Sequence, residues 1–236
     1  MTNLIDGKLT VDNNELIIIN DYLGEEITCN VNSNINGKVL FFAKNNSKCK
    51  FNITLKDNAY LKLDLILMNA DTLNDLNCDL VGEYSNLEIN ILSLAKNCKK
   101  EINIYSNHLA PETKSTVSNY GISFENGKNN FNTIGTIKPN MKNSDVRQIT
   151  KGLILSPSGE CVANPILLID YYDVKAYHGA TIGKISDDDL FYLMSRGLTK
   201  EESFMLVVNG ILEPFIKDIN DENIKADIMN TYHAYF

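Results

Sequence analysis

His178 is the residue in this sequence whose type and setting most readily suggest chemistry. It lies in Asp173-Val174-Lys175-Ala176-Tyr177-His178-Gly179-Ala180-Thr181-Ile182-Gly183. A neutral imidazole binds a transition metal through either nitrogen, and a reference pKa of about 6.5 keeps it mostly neutral near pH 7. The competing reading, for a lone histidine beside a glycine, is a structural one. If the segment is a strand, alternation puts Ala176 on His178's side. Lys175 and Tyr177 then face away, so Lys175 and Asp173 flank the histidine without both sharing its face.

Cys161 is the second candidate. Glu160-Cys161 reads as a turn between two late strands, 17 positions before His178. In a coiled chain that separation could bring the two side chains together. The other cysteines, at 29, 49, 78 and 98, form no CxxC or CxxH pair, so no zinc site is visible in local sequence. Their default is a buried structural thiol. An odd total of five argues against a disulfide framework. His108, three residues before Pro111, reads as structural, and His233 as a surface residue of the last helix.

The elements that would position these residues change character along the chain. Short apolar runs come first: Leu16 to Ile19, Ile27 to Cys29, Val39 to Phe42 and Phe51 to Leu55. Asn-, Gly- and Ser-rich turns such as Asn32-Ser33-Asn34 and Asn45-Asn46-Ser47 separate them. Leu61-Lys62-Leu63-Asp64-Leu65 and Leu87-Glu88-Ile89-Asn90-Ile91 alternate strictly and superimpose at an offset of 26 residues. Such an offset suits one coil of a parallel β-helix, and asparagine tolerates the left-handed backbone of tight corners. Later strands are expected at Phe131 to Ile137, Gln148 to Leu155 and Ile166 to Asp170. An ordinary β-sandwich would give similar short strands, so patterning alone leaves both open.

At Ser186 the pattern turns helical. Ser186 precedes Asp187-Asp188-Asp189, an N-cap with acids at the positive end of a helix dipole. Leu190, Phe191, Leu193 and Met194 follow at helical spacing, and Gly197 is a stop. Thr199 and Glu202 form a capping box for a second helix with Phe204, Met205, Val207, Val208, Ile211 and Leu212 as its stripe. Pro214 is expected to kink or end it near Glu213. A last helix is expected from about Asp221 to Tyr232, with Ile224, Ile228 and Met229 inward. The expected organisation is a β core over 1–185 and a small helical appendage over 186–236.

Two of these segments carry a resemblance. Asp173 to Gly183, then Leu190-Phe191-Tyr192-Leu193-Met194-Ser195-Arg196-Gly197-Leu198 with Thr199-Lys200-Glu201-Glu202, are similar in order and spacing to the carboxy-terminal signature of the SufB/SufD family of iron–sulfur assembly scaffolds. Gly152 to Leu155 and Asn164 to Leu167 resemble that family's last rungs, and the likeness runs from about His108 to Asn209. It implies a mainly β fold, a right-handed parallel β-helix followed by a small helical domain. It further implies pairing through the β-helix with a SufB-type subunit or a second copy. The terminal helices would dock a SufC-type ATPase, with Leu190, Phe191, Met194, Arg196, Phe204, Met205 and Val208 as contacts. By the same resemblance His178 lies at the subunit interface near a nascent cluster. Thiolate, the preferred cluster ligand, makes Cys161 its companion. The cluster would be transient, with no permanent cofactor.

Departures from the family matter too. Typical members carry a long amino-terminal helical region, whereas strands here are expected by about Leu16. The glutamate that follows the histidine in SufB-type members is Gly179 here, and the SufB-type functional cysteine falls near Thr150. Both point to a SufD-like scaffold. The alternative is a minimal, self-sufficient homodimer holding the cluster itself.

Composition limits other classes. The net charge is −8, with ten acidic against four basic residues from Ser186 onward, which disfavours nucleic acid. No run approaches the roughly 20 apolar residues of a membrane span, and no export signal is visible, so a cytoplasmic location is expected. No GxxxxGK[ST] loop occurs, so ATP chemistry would come from a partner. A polysaccharide-cleaving β-helix enzyme is disfavoured, since Arg147 and Arg196 are the only arginines. A purely structural solenoid would not need capped amphipathic helices.

Overall fold

The computed structural model describes residues 4–22, 24–45 and 47–236. In it Leu61 pairs with Leu87, Leu63 with Ile89 and Leu65 with Ile91 as parallel neighbours, so the repeat of 26 residues is one coil. Strands alternate between two sheets. Sheet A holds β1 (Leu4–Ile5), β2 (Lys8–Val11), β4 (Glu26–Val31), β6 (Ser47–Leu55), β8 (Thr72–Leu80), β10 (Lys99–His108), β12 (Lys128–Ile137) and β14 (Glu160–Ile169), in that order. Sheet B holds β3 (Leu16–Asn20), β5 (Asn36–Ala43), β7 (Tyr60–Leu67), β9 (Asn86–Ala95), β11 (Lys114–Ser123), β13 (Asp145–Ile154) and β15 (Lys175–Gly183). Pairing is parallel throughout, except that β1 folds back antiparallel on β2. The chain is therefore a parallel β-solenoid, not a sandwich. Its coil lengthens along the chain, from the step of Lys8 to Thr28 to that of Lys128 to Glu160.

Asparagine makes the corners. Asn34, Asn58, Asn69, Asn97, Asn126, Asn140 and Asn143 all hold left-handed φ, between 52° and 67°. Asn46, in the turn expected at 45–47, lies outside the described residues. On the outer face of sheet A an amide ladder runs from rung to rung: Asn103 donates to Asp75 (2.7 Å), Asn132 to Asn103 (2.7 Å) and Asn164 to Asn132 (2.8 Å).

Inside, the two sheets enclose a lumen filled by Phe41, Phe51, Ile53, Leu61, Leu63, Leu76, Ile89 and Phe131, all 2% exposed or less. Toward the last rungs the filling turns polar, with Asn119, Thr133, Gln148 and Thr150 buried among it. Asn119 donates to Thr133 and Thr150, both at 3.1 Å.

Three helices follow: α1 (Asp187–Ser195), α2 (Lys200–Ile216) and α3 (Glu222–His233). Ser186 caps α1 by accepting from Asp189 N at 3.0 Å, and Gly197 at φ 97° closes it. Thr199 and Glu202 complete the capping box of α2. Against expectation, α2 runs through Pro214 to Ile216. Pro214 costs only the bond to the carbonyl of Gly210, near a helix end where few bonds remain to be lost.

The helices are not an appendage standing apart. Val208, Leu212, Phe215, Ile216, Ile228, Tyr232 and Tyr235 bury themselves against Leu40, Phe42, Ile66, Met68, Leu92, Leu94, Ile122 and Phe124 on the outer face of sheet B. This second core lies outside the lumen. Tyr232 Oη donates to the carbonyl of Met205 (3.0 Å), and Tyr235 Oη to that of Leu94 (3.1 Å). At roughly 1.5–3 kcal/mol per buried large side chain, the helices and sheet B stabilise each other strongly.

Candidate functional site

The last strands, β14 and β15, each pair on one side only, with β12 and β13. The wide end of the solenoid is thus a mouth rimmed by two free strand edges. Unpaired backbone N–H and C=O groups along such edges are templates for a further strand. Pro165 falls within β14 and is tolerated there because an edge strand can turn its missing N–H outward. Around the mouth Ile166, Leu168, Tyr172, Tyr177 and Ile182 are exposed. Tyr171 and Tyr172 stack at 5.3 Å between ring centroids.

His178 lies on β15 in register with Gln148, which is in turn in register with Val117 and Ile89. Those three neighbours are buried in the lumen, so His178 continues an inward-facing column beyond the last covered rung. Ala176 shares that side, while Lys175 and Tyr177 belong to the outer face, as alternation requires. Its side chain is exposed, and among the described residues it takes part in no hydrogen bond or ion pair. The imidazole is free to bind something presented across the mouth. Directly beneath it Gln148 is buried, with Nε2 donating to the carbonyl of Ile166 (3.3 Å) and Oε1 without a partner among the described residues.

Cys161 is not brought to His178. Its Sγ packs against Gly152: a Cβ placed on that glycine would meet the sulfur at 2.6 Å and Ile182 Cγ1 at 3.0 Å. Gly152 is in register with Ile182, four residues along β15 from His178, which amounts to about 13 Å of strand. β14 and β15 face each other with opposite directions, so the start of one meets the end of the other. Cys161 is buried rather than set in an open turn, and burial pushes its thiol up to about 11. At neutral pH it is a protonated thiol, a poor ligand as it stands. Thr150, in the same lumen between Gln148 and Gly152, is satisfied by Asn119.

Of the remaining cysteines and histidines, Cys29, Cys49, Cys78 and His108 are buried in the body of the solenoid. Burial raises the thiols of Cys29 and Cys49 to about 12 and that of Cys78 further, while Cys98 is half-buried. His108 is fully buried, with Nδ1 at 2.7 Å from Thr113 Oγ1 and Nε2 at 2.8 Å from Ser115 Oγ. Burial depresses its pKa to about 4, so it is a neutral core histidine. His233 is exposed on α3. Among the described residues no three His, Cys, Asp or Glu side chains cluster as a metal site.

The helices divide the expected docking residues. No residue of α1 is buried, and Phe191 is 76%, Tyr192 57% and Met194 47% exposed. Leu190 is half-buried, and Arg196 is exposed with its guanidinium 5.3 Å from the Tyr192 ring. On α2, Phe204 and Met205 are half-buried. Val208 is 0% exposed, because α2 spends it on sheet B, so it belongs to no open surface. Tyr192 and Leu206, 57% and 51% exposed, are further large side chains left open on these helices; their position between stripe residues hid them in the sequence.

Solenoid, open mouth and a helical pack with a bare apolar helix leave two strand edges and a set of apolar side chains uncovered. The profile of the SUF system FeS cluster assembly, SufBD core domain, matches residues 25–211, well upstream of where motifs alone carried the likeness. The chain belongs to this family. It is 34% identical over 123 residues to the iron-sulfur cluster assembly protein SufD of Bacillus subtilis, covering 52% of this chain and 28% of that one. With Escherichia coli SufD it shares 26% over 165 residues, 70% of this chain and 39% of that one. With Bacillus subtilis SufB it shares 29% over 143 residues, 60% and 31% respectively. The matched region spans less than two fifths of these three relatives. No helix among the described residues is long and apolar enough to cross a membrane.

Proposed function

We propose that this chain is a SufD-like scaffold subunit of iron–sulfur cluster assembly in the cytoplasm, turning over no substrate of its own. The observation that carries the reading is His178: an exposed imidazole at the end of a lumen column, on one of two free strand edges and without a hydrogen bond or ion pair among the described residues. A SufB-type subunit, or a second copy, would continue the ladders across the mouth and bring further ligands to His178. The need for those ligands follows from the chain's own donors, since Cys161 is distant, buried and protonated. The cluster is then cargo, held transiently between subunits by the His178 imidazole on this side. The exposed side chains of Phe191, Tyr192, Met194 and Leu206 suit the docking of a SufC-type ATPase, with Leu190, Arg196, Phe204 and Met205 at its margin.

The test is anaerobic reconstitution with ferrous iron and sulfide, of the chain alone and co-purified with SufB-type and SufC-type proteins. A cluster that needs the SufB-type partner and is lost in His178→Ala supports the reading. Co-purification of the ATPase should fail for Phe191→Asp while the melting temperature holds. A stable cluster on the chain alone, removed by Cys161→Ser, would make it a self-sufficient homodimer instead. Indifference to both His178→Ala and Phe191→Asp overturns the proposal.

A further inference from the structure

A cleft of ≈ 760 Å³ lies between the outer face of sheet B and α2. Its floor is two register columns, Tyr120–Lys151–Thr181 and Ile122–Leu153–Gly183. Val207, Gly210, Ile211 and Pro214 of α2 form the opposite wall. The cleft is separate from the mouth column that carries His178.

Charge is the first of three features that set it apart. The chain carries −8 overall, yet Lys151, Lys184 and Lys217 line this cleft, and among the described residues none of the three has an ion-pair partner. The carboxylates at the β7–β9 end are already engaged. Asp64 meets Lys62 at 3.1 Å and accepts from Asn90 at 2.8 Å, while Glu88 accepts from Tyr60 and Asn90, both at 3.0 Å. Three lysines without ion-pair partners among the described residues therefore line the same cleft as these engaged carboxylates.

Open space is the second feature. Gly210 sits inside α2, where glycine costs about 1 kcal/mol against alanine. Neither Gly210 nor Gly183 has a left-handed φ, and a Cβ on either would meet no atom within 4 Å. Neither packing nor backbone geometry calls for these glycines; both leave the cleft clear. Chemistry of the walls is the third. Tyr120, Leu153 and Pro214 are apolar surfaces, with Lys151 Nζ 5.9 Å from the Tyr120 ring centroid. Pro214 has no N–H to give the carbonyl of Gly210, which is left as an acceptor without its helical donor.

We infer that this cleft binds a small organic anion, with a flat apolar body against Tyr120 and Leu153 and a phosphate or carboxylate among Lys151, Lys184 and Lys217. The volume suits a molecule of one or two ring systems. Hydroxyl or amino donors at its other end would meet Glu88, Asn90 and Asp64. The inference stands apart from cluster assembly and does not depend on it.

Fluorescence titration of the whole chain with 8-anilinonaphthalene-1-sulfonate, an aromatic anion, tests it. One saturable site is expected, displaced by phenyl phosphate but not by inorganic phosphate or phenol at equal concentration. Lys151→Gln combined with Lys184→Gln should weaken binding about tenfold, the effect of about 1.4 kcal/mol. Gly210→Phe should abolish it by filling the space, and Gly183→Phe does the same if the helix variant fails to fold. Gly210→Ala should bind the dye and melt higher. Phe191→Asp controls for dye on the exposed helix and should leave the site intact. Loss with the plugging and lysine variants supports the site; unchanged affinity in either overturns it.

Discussion

His108 shows how a residue that could do chemistry is used for packing instead. Both ring nitrogens are matched to hydroxyls in a dry setting, and Thr113 passes the chain on to Ser144 Oγ at 3.0 Å. The unfolded chain takes up a proton on this histidine near 6.5, the folded chain only near 4. Between those values the unfolded state binds more protons, so stability falls as pH drops from 6.5 and levels off below 4. At about 1.4 kcal/mol per unit the loss is ~3 kcal/mol at most. Urea unfolding at about pH 7.5 and pH 5 should show it, and His108→Gln, neutral throughout, should lose that share of the pH dependence. Identical pH dependence in both proteins would mean the histidine is charged or exposed. His178 has the opposite setting, exposed and with no hydrogen bond or ion pair among the described residues, and its type alone could not have told the two apart. The sequence distinguished them only through the motif around His178. The distance between His178 and Cys161 was not legible at all, because it depends on how two facing strands slide past each other.

At the scale of elements, alternation found the strands, asparagines found the corners, caps found the first two helices and apolar spacing the third. What alternation did not reveal is that sheet B is covered on both faces. The signal was present: the strict pattern of Leu61 to Leu65 runs on into Ile66-Leu67-Met68, and Val39 to Ala43 is apolar without a break. Continuous apolar runs mark strands buried on both sides. β5, β7 and β9 end in unbroken buried stretches, where α2 and α3 lie. Helical periodicity likewise gave the stripe of α2 but not its direction, so Val208 was grouped with residues meant for a partner. The contrast is measurable. Val208→Asp places a charge without a partner between α2 and sheet B and should cost more than about 3 kcal/mol. Phe191→Asp, on a helix with no buried residue, should stay within about 0.5 kcal/mol. Thermal and chemical denaturation of the pair decide it; equal effects would mean that α1 is packed or that α2 is not.

The molecule as a whole is a tapering solenoid whose two ends are built differently. Its short rungs enclose aliphatic and aromatic side chains, while its long rungs enclose amides and hydroxyls, with Asn119 Oδ1 and Gln148 Oε1 buried and unmatched among the described residues. Unmatched acceptors of this kind weaken the rungs nearest the mouth. Those rungs also lack a neighbour on one side, and eight of the nine residues of β15 are exposed. Stability should therefore fall along the axis, from the doubly covered β7 and β9 to β14 and β15. Amide hydrogen exchange of the isolated chain should be slowest in β7 and β9 and fastest in β15 and β14. A subunit that pairs across the mouth would supply the missing rung, and the β15 amides should then slow by orders of magnitude while β7 changes little. Leu168→Lys with Tyr177→Lys places charges on the exposed rim of both edges, where lysine discourages strand addition. The double variant should keep the melting temperature and lose the protection that the partner confers. Uniform exchange along the axis, or partner-induced protection that survives both lysines, would mean that assembly uses another surface and that the mouth is merely an end.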